Sequence, residues 1–591
     1  AFDYYRTRIQ TSDLSLGNSA VSTPGKHWSE IVTDDNMSRS EENNFEHNIS
    51  FLFLGDNQIT KDLRLGYNLG ANIMYQKYEV LGASTKNMLE KDNWIFNTGY
   101  QLTSASENGH ERSMYSVFGS LQLAFREYLS LDLTARNDWS STLPVDNNSY
   151  FYPSVTASIL LNEALGFTSR QVNYLKFRGG WSQVGADANP YLLANVYNIQ
   201  TAFNGNPMLT ASTEGKNPNL KPEQTNSTEV GLEGAFFDSR VRLDFSYYQT
   251  DSKNQILSLA TSAASRYTSQ VVNAGHIRNR GYEIQLGLVP VRIKDFEWST
   301  DINYSSNRSK VVKLDDAGQI TSYQLYSSGI QILAKVGDAY GTLFGSAYTR
   351  DDQGRIVVDD NGLPKISSTS KTLGHFTPNW QGGITNTFRY KNLTFSFLID
   401  ASFGGKIFSN TNNTGLYTGV LAATLPGRDA DHGGLWYYKN GDVNQQIDAP
   451  QYTMSSDGLY YATINGEQTR VYQDGIIVDG VTASGEKNTK VVSAENYYHR
   501  LYSIAEANVF DADYVKLREV SLTYQLPVKF VRKFHLQDAS VALTARNLWT
   551  IHKDAKDIDP EAAISSGNAQ GVEAYTLPTT RQIGINLNVK F

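Results

Sequence analysis

Apolar and polar residues alternate with a period of two along most of the chain. At its end, in RQIGINLNVKF, Ile583, Ile585, Leu587, Val589 and Phe591 share one face, and Gly584, Asn586, Asn588 and Lys590 share the other. Phe45, Ile49, Phe51 and Phe53 likewise oppose Glu46, Asn48 and Ser50, with only His47 interrupting the apolar side. Val241, Leu243, Phe245 and Tyr247 oppose Arg242, Asp244 and Ser246; Tyr282, Ile284, Leu286 and Leu288 oppose Glu283, Gln285 and Gly287. This period belongs to a strand with one face on apolar surroundings and the other on water.

The connections between these segments alternate in length. Phe125 to Leu129 turns tightly, as do FFDSRV, VRIKDF and YKNLTF, whereas long polar excursions run over about 251–280, 306–379, 404–511 and 550–580. Short turns on one side and long loops on the other describe an outer-membrane barrel, with the short turns periplasmic and the long loops extracellular. The expected fold is therefore all-β: a large antiparallel transmembrane β-barrel with about sixteen strands on this chain. They begin near Phe2, Asn44, Lys61, Arg112, Tyr128, Ser149, Tyr174, Thr225, Arg240, Gly281, Asp295, Trp380, Leu393, Asp513, Asp538 and Arg581. NWIFNTGYQLTS also alternates but is left out, because a strand there would put a short turn on the long-loop side. Closure requires the last strand to reach the rim, where a terminal aromatic suits the interface belt. A strand ending in Phe591 resembles the signal read by the outer-membrane assembly machinery, so Phe591 is the expected assembly signal.

Composition narrows the alternatives. No apolar run approaches the ~18 residues that a spanning helix needs, yet aromatics are abundant, with 36 Tyr, 26 Phe and 8 Trp. A net charge of −8 argues against a nucleic-acid partner. With no cysteine there is neither a disulfide framework nor a thiol nucleophile.

Several segments carry a more specific signal. YLSLDLTARNDWSSTLPVDNNSYFYPSVTASIL, LKFRGGWSQVGADANPY, NPNLKPEQTNSTEVGLEGAFFDSRVRLDFSYY, VVNAGHIRNRGYEIQL, FEWSTDINYSSNRSKVVKL, DADYVKLREVSLTYQLP and ALTARNLWT resemble the barrel of SusC/RagA-type TonB-dependent transporters. They occur in that family's order and span nearly the whole chain. The resemblance implies a barrel of about 22 strands, an N-terminal plug, a SusD-like surface lipoprotein over the extracellular mouth, and energy delivered through TonB–ExbB–ExbD. Counted back from the last strand, the first strand here is an ascending one. The plug, the TonB-contacting segment and roughly the first six strands are absent from this sequence. An open edge in lipid is costly, so the missing strands are expected on the same or another chain.

No catalytic constellation stands out, and the expectation is a protein that is not an enzyme. The nine His show no HExxH spacing, and neither GxSxG nor GxxxxGK[ST] occurs. In TRDDQGRIVVDDNGLP, Asp351 and Asp352 could face Asp359 and Asp360, which raises a structural Ca2+. The spacing is not that of an EF-hand, and a solvated hairpin turning at Asn361–Gly362 is preferred, so no cofactor is expected. Asp554, Asp557, Asp559 and Glu561 are read the same way.

Substrate contacts are expected from loop aromatics, which stack on sugar rings or pack on peptide side chains. The candidates are Tyr323, Tyr326, Trp436, Tyr437, Tyr438, Tyr460, Tyr461, Tyr497 and Tyr498, set against the plainer reading that each packs loops together or contacts the lid. Trp139, Tyr150, Tyr152 and Trp549 are assigned to the interface girdle or the loop bases. The expected function is active import of oligomeric nutrients, oligosaccharide or peptide, across the outer membrane of a Gram-negative-type bacterium. The alternatives are a SusC-like scaffold subunit of a larger assembly or secretion machine, and a passive pore.

Overall fold

The computed structural model describes residues 2–15, 36–88, 99–167, 169–204, 206–261 and 263–591. Among these, the long wall strands are β1 (Phe2–Ser15), β2 (Asn36–Thr60), β3 (Leu63–Met88), β4 (Gly99–Phe125), β5 (Leu129–Ser140), β6 (Ser149–Leu160), β7 (Val172–Ala186) and β8 (Glu223–Phe236). They continue as β9 (Val241–Ala260), β10 (Ser269–Ile293), β11 (Phe296–Lys313), β12 (Trp380–Tyr390), β13 (Leu393–Phe403), β14 (Tyr514–Gln525), β15 (Asp538–Lys553) and β16 (Gln582–Lys590). Every expected strand position lies within or beside one of these. Two compact units are present: Ala1–Ala164 with Arg178–Glu229 and Thr250–His276, and Leu165–Phe177 with Val230–Gln249 and Ile277–Phe591.

In the first unit β1 to β6 form an antiparallel meander in sequence order. Its register puts Ile49, Ile73, Tyr115 and Trp139 side by side across β2 to β5. All four are exposed large apolar side chains, as a lipid-facing row must be. One residue along, on the opposite face, lie Ser50, Asn72, Ser116 and Asp138. That row is hydrogen-bonded: the Asn72 amide donates to the Ser50 hydroxyl at 2.9 Å, and Arg136 donates to Ser116 and Asp138, both at 2.8 Å. The short turns are also tied together, with the Arg126 backbone N–H donating to the Asp62 carbonyl at 2.8 Å and its guanidinium paired with the Asp62 carboxylate.

The second unit repeats the plan with β11 to β16, again antiparallel in sequence order. Ile302, Ile384, Ile399, Leu517 and Trp549 form one apolar row. Nearer the short turns, Trp298, Phe388, Phe395, Leu522, Leu543 and Ile585 form a second. Asn303, Gly383, Asp400, Lys516 and Thr550 lie one residue from the first row, on the other face.

Two boundaries differ from expectation for one reason. The excursion expected over 251–280 is mostly strand, since β9 runs to Ala260 and β10 starts at Ser269. Part of NWIFNTGYQLTS, residues 99–104, is the first stretch of β4, and residues 93–98 lie outside the described residues. A strand needs only about 9–11 residues to cross a bilayer, but β2, β3 and β4 have 25, 26 and 27. Beyond the lipid the hydrogen-bond ladder continues while the selection for alternation ends. Amide side chains help there: Asn273 donates to the carbonyls of Lys221 at 2.6 Å and Asn254 at 3.1 Å.

The girdle candidates divide. Trp139 and Trp549 are exposed. Tyr150 is buried with Leu143, Ala188, Leu220 and Val271, and Tyr152 packs against that cluster and donates its hydroxyl to Asp138, which makes both loop-base residues.

Candidate functional site

The three remaining excursions fold onto one another. Residues 306–379 carry a four-stranded sheet, Ser322–Ser327, Gln331–Lys335, Thr342–Gly345 and Lys371–His375. Its Ile330, Ile332 and Leu343 share a core with Phe408 and Ala505 from the 404–511 loop and Val572 from the 550–580 loop. A loop mass with its own buried apolar core holds a defined surface, which independent flexible loops do not. Close packing at a turn requires Gly341: its φ is +83°, and a Cβ there would lie 2.1 Å from Phe376 Cε1.

Tyr326 packs against this core, and Tyr323 packs against a second one of Val311, Leu314 and Ala334. The other candidates lie in the 404–511 loop. It carries a sheet of Leu435–Asn440, Val443–Gln446, Tyr452–Met454, Tyr460–Ile464, Glu467–Ile477 and Val491–Ser493, beside helices α1 (Asn410–Thr418) and α2 (Ala494–Tyr502). Tyr437 is buried, stacked on Tyr472 at 5.1 Å between centroids, with the Arg470 guanidinium 4.7 Å from the Tyr472 ring. Tyr438 and Tyr461 are half-buried beside Val471 and Arg470 of the same sheet. Tyr498 is buried on α2 and donates its hydroxyl to the Pro426 carbonyl at 3.0 Å, while Tyr497 packs beside it. Burial pushes the hydroxyl pKa of Tyr437, Tyr497 and Tyr498 up.

Trp436 and Tyr460 come together with a ring that the sequence reading missed, Tyr452. Centroid separations are 5.0 Å for Trp436–Tyr452, 5.5 Å for Trp436–Tyr460 and 5.0 Å for Tyr452–Tyr460. Tyr452 is half exposed, at 50%, so this three-ring cluster offers a face that a ligand can reach. Nothing in APQYTM marks Tyr452; only the pairing of Tyr452 with Ala462 brings it there.

The acidic hairpin uses its carboxylates internally. Asp351 accepts from the backbone N–H groups of Gln353 and Arg355 and pairs with the Arg355 guanidinium at 2.8 Å. Asp359 accepts from the N–H groups of Asn361 and Leu363 and pairs with Arg500 at 3.1 Å. Asp352 and Asp360 are exposed. Among the described residues, no group of three His, Asp or Glu is placed to hold a metal ion.

The reading of Asp559 and Glu561 as solvated is overturned. The 550–580 loop folds back so that Lys516 Nζ, on β14, donates to Asp559 Oδ1 at 2.8 Å and Glu561 Oε2 at 2.5 Å. Arg518 grips the Glu561 carboxylate with two bonds of 2.9 and 2.8 Å and also pairs with Asp400. Lys516 and Asp559 are both buried. Burial alone would raise the Asp559 pKa, but the bonds from Lys516 and Thr579 win and hold it at about 2; Glu561 is lowered for the same reason, with Arg518 contributing most. Irregularities in the β14–β15 register, at Val515/Lys516 and Leu517/Glu519, flank the two cations, and such bulges re-aim side chains. Two cations on the polar face of VKLREV were the available sign that counter-charges must come from elsewhere.

The chain matches the family described as TonB dependent receptor-like, beta-barrel, over residues 1–427. It is 27% identical over 515 residues to TonB-dependent receptor P3 of Formosa agariphila, covering 82% of this chain and 46% of that protein. It is 25% identical over 408 residues to TonB-dependent receptor SusC of Bacteroides thetaiotaomicron, covering 60% of this chain and 40% of that protein. The chain thus spans about half the length of the curated relatives it matches. In fold it is similar to the RagAB peptide transporter, with a TM-score of 0.72 and 18% identity over 100% of this chain and 59% of that one. Wall strands with apolar rows on one face and this match over most of the chain lead to one conclusion: the protein belongs to the TonB-dependent receptor β-barrel family of the Gram-negative outer membrane, and it is similar to SusC/RagA-type members of it.

Proposed function

We propose that the complete protein is an active outer-membrane importer of oligomeric nutrients, working with a SusD-like surface lipoprotein and energised by TonB–ExbB–ExbD through a plug. The observations that carry this reading are the shared core of the three long loops and, in the 404–511 loop, the packed ring cluster of Trp436, Tyr452 and Tyr460. Fixed aromatic faces bind at low cost in conformational entropy. In this reading the loop mass and the lipoprotein capture the ligand together. The plug then moves, and the ligand descends along the polar face that includes Asn303, Asp400 and Asn586. The similarity to a protein described as a peptide transporter supports import; glycan and peptide both fit the exposed Tyr452 face of the cluster.

The test is growth of a bacterium lacking its own copy on candidate oligosaccharides and oligopeptides, with and without the transporter. Growth that requires the transporter, TonB and the neighbouring lipoprotein supports import. Growth independent of TonB points to a passive pore. Stable association with secretion or assembly proteins, without any uptake, favours the scaffold reading.

A further inference from the structure

On the long-loop side of the second unit's wall, four rings stack across four strands. Tyr282 on β10, Tyr304 on β11, Trp380 on β12 and Phe403 on β13 follow one another with centroid separations of 5.9, 5.7 and 4.8 Å. Tyr304 lies two residues from Ile302, Trp380 four from Ile384 and Phe403 four from Ile399. The ladder therefore shares its face with that apolar row. Rings in such a place mark the edge of the hydrocarbon, where aromatic girdles form.

Beyond the ladder that face turns basic. Continuing by twos towards the long loops, it carries Arg280 and Arg278 on β10, and Ser306, Arg308 and Lys310 on β11. The two strands are adjacent here: a Cβ on Gly281 would fall 2.2 Å from the Ser306 carbonyl oxygen, and Asn307 reaches Asn279 at 3.5 Å. Arg280 and Arg308 are thus cross-strand neighbours of like charge, an arrangement that costs stability unless an anion offsets it. Arg280, Arg308 and Lys310 are exposed. Arg278 already has a partner, and Arg308 donates to the neutral Asn379 amide at 2.5 Å. The carboxylates nearby are engaged with other cations: Asp251 with His276 at 2.6 Å, Asp301 with Arg242 at 3.1 Å, Asp338 with Lys335 at 3.1 Å, and Asp316 with Lys313. Glu283, next to Tyr282, falls on the opposite face. Among the described residues, no carboxylate pairs with Arg280, Arg308 or Lys310.

The position of the patch selects the anion. Cargo descending along the polar face does not meet it, because it lies on the apolar one. Two residues of strand carry Arg280 about 7 Å from Tyr282, and the headgroup layer is about 5–8 Å deep on each side of a bilayer. Guanidinium groups bind phosphate oxygens in pairs, and basic residues at this depth attract anionic lipid. We propose that the patch binds the phosphate of an anionic outer-leaflet glycolipid. Arg280, Arg308 and Lys310 hold the phosphate, and the ring ladder packs on the acyl chains below it.

The experiment incubates the complete detergent-purified transporter, stripped of lipid, with lipid A bearing phosphate or with the same lipid A dephosphorylated. Bound lipid is counted by native mass spectrometry. The phosphorylated form is expected to be retained, and the dephosphorylated form at least about tenfold more weakly. Arg280→Gln with Arg308→Gln should weaken retention of the phosphorylated form by about tenfold or more, while Lys391→Gln, at a short turn, should leave it unchanged. Should the double variant fail to assemble, Lys310→Gln, at an exposed position, is expected to show a loss of about fivefold. Retention equal to wild type in the assembled variants overturns the proposal, as does equal retention of the dephosphorylated lipid. Full displacement of the lipid by millimolar inorganic phosphate would reveal a free-anion site and overturn the lipid assignment. Loss of a co-purifying lipoprotein from the variants, with lipid retention unchanged, would make the patch a protein-docking surface and overturn it too.

Discussion

Replacing Lys516 with methionine would leave Asp559 buried without its cation. Breaking a buried ion pair from one side typically costs about 3–5 kcal/mol. The lower end applies here, because Glu561 keeps its two bonds to Arg518 and Asp559 keeps those from Thr579. A loss of about 3 kcal/mol, confined to the folded-back loop, raises its opened population about a hundredfold. Limited trypsin digestion reads this at Lys556, which is exposed on that segment, with the detergent-purified wild type as reference. Where opening is fast compared with cleavage, the rate follows the opened population. Lys516→Met combined with Asp559→Leu removes both charges and should recover most of the protection. Cleavage within twofold of wild type in the single variant would refute the claim that this pair anchors the loop.

Acid supplies an independent check on the same contact. The Asp559 pKa is about 2 in the folded protein, against about 3.9 for a free aspartate. A depressed folded value means that the stabilisation is complete above the free value and is lost as pH falls through the folded one. The shift corresponds to something on the order of 2–3 kcal/mol, in line with the mutational figure. Protection of the loop should be flat from neutrality to about pH 4 and should decline from there towards pH 2.

Deleting Phe591 is expected to lower the amount of assembled barrel in the membrane, read by surface labelling; unchanged levels would count against its role as a signal. Trp436→Ala with Tyr452→Ala should weaken ligand capture while leaving barrel levels alone. Tyr437→Ala is a different perturbation, because that ring is buried, and it should cost the loop sheet about 3 kcal/mol. Gly341→Ala forces both a left-handed φ and a clash with Phe376, and should lower loop stability by about 2 kcal/mol in the same proteolysis assay. A calcium chelator should leave proteolytic protection of residues 351–360 unchanged, since Asp351 and Asp359 already face guanidinium groups and turn amides.

The sequence by itself determined the wall. Lipid selects one face of each spanning strand and water the other, so rows such as Ile302–Ile384–Ile399–Leu517–Trp549 were written into the alternation before any register was known. Tight turns such as the one from Phe125 to Leu129, and the family segments, were legible for the same reason: the signal is local. The loop mass was not legible. Most of its strands are too short to show a period, and its core draws Ile332, Phe408 and Val572 from loops far apart in the chain. Only tertiary structure decided that Asp559 meets Lys516 and that Tyr452 joins Trp436. Charge and aromaticity can be read from residue types, but solvation depends on what folds over them, and no local pattern records that.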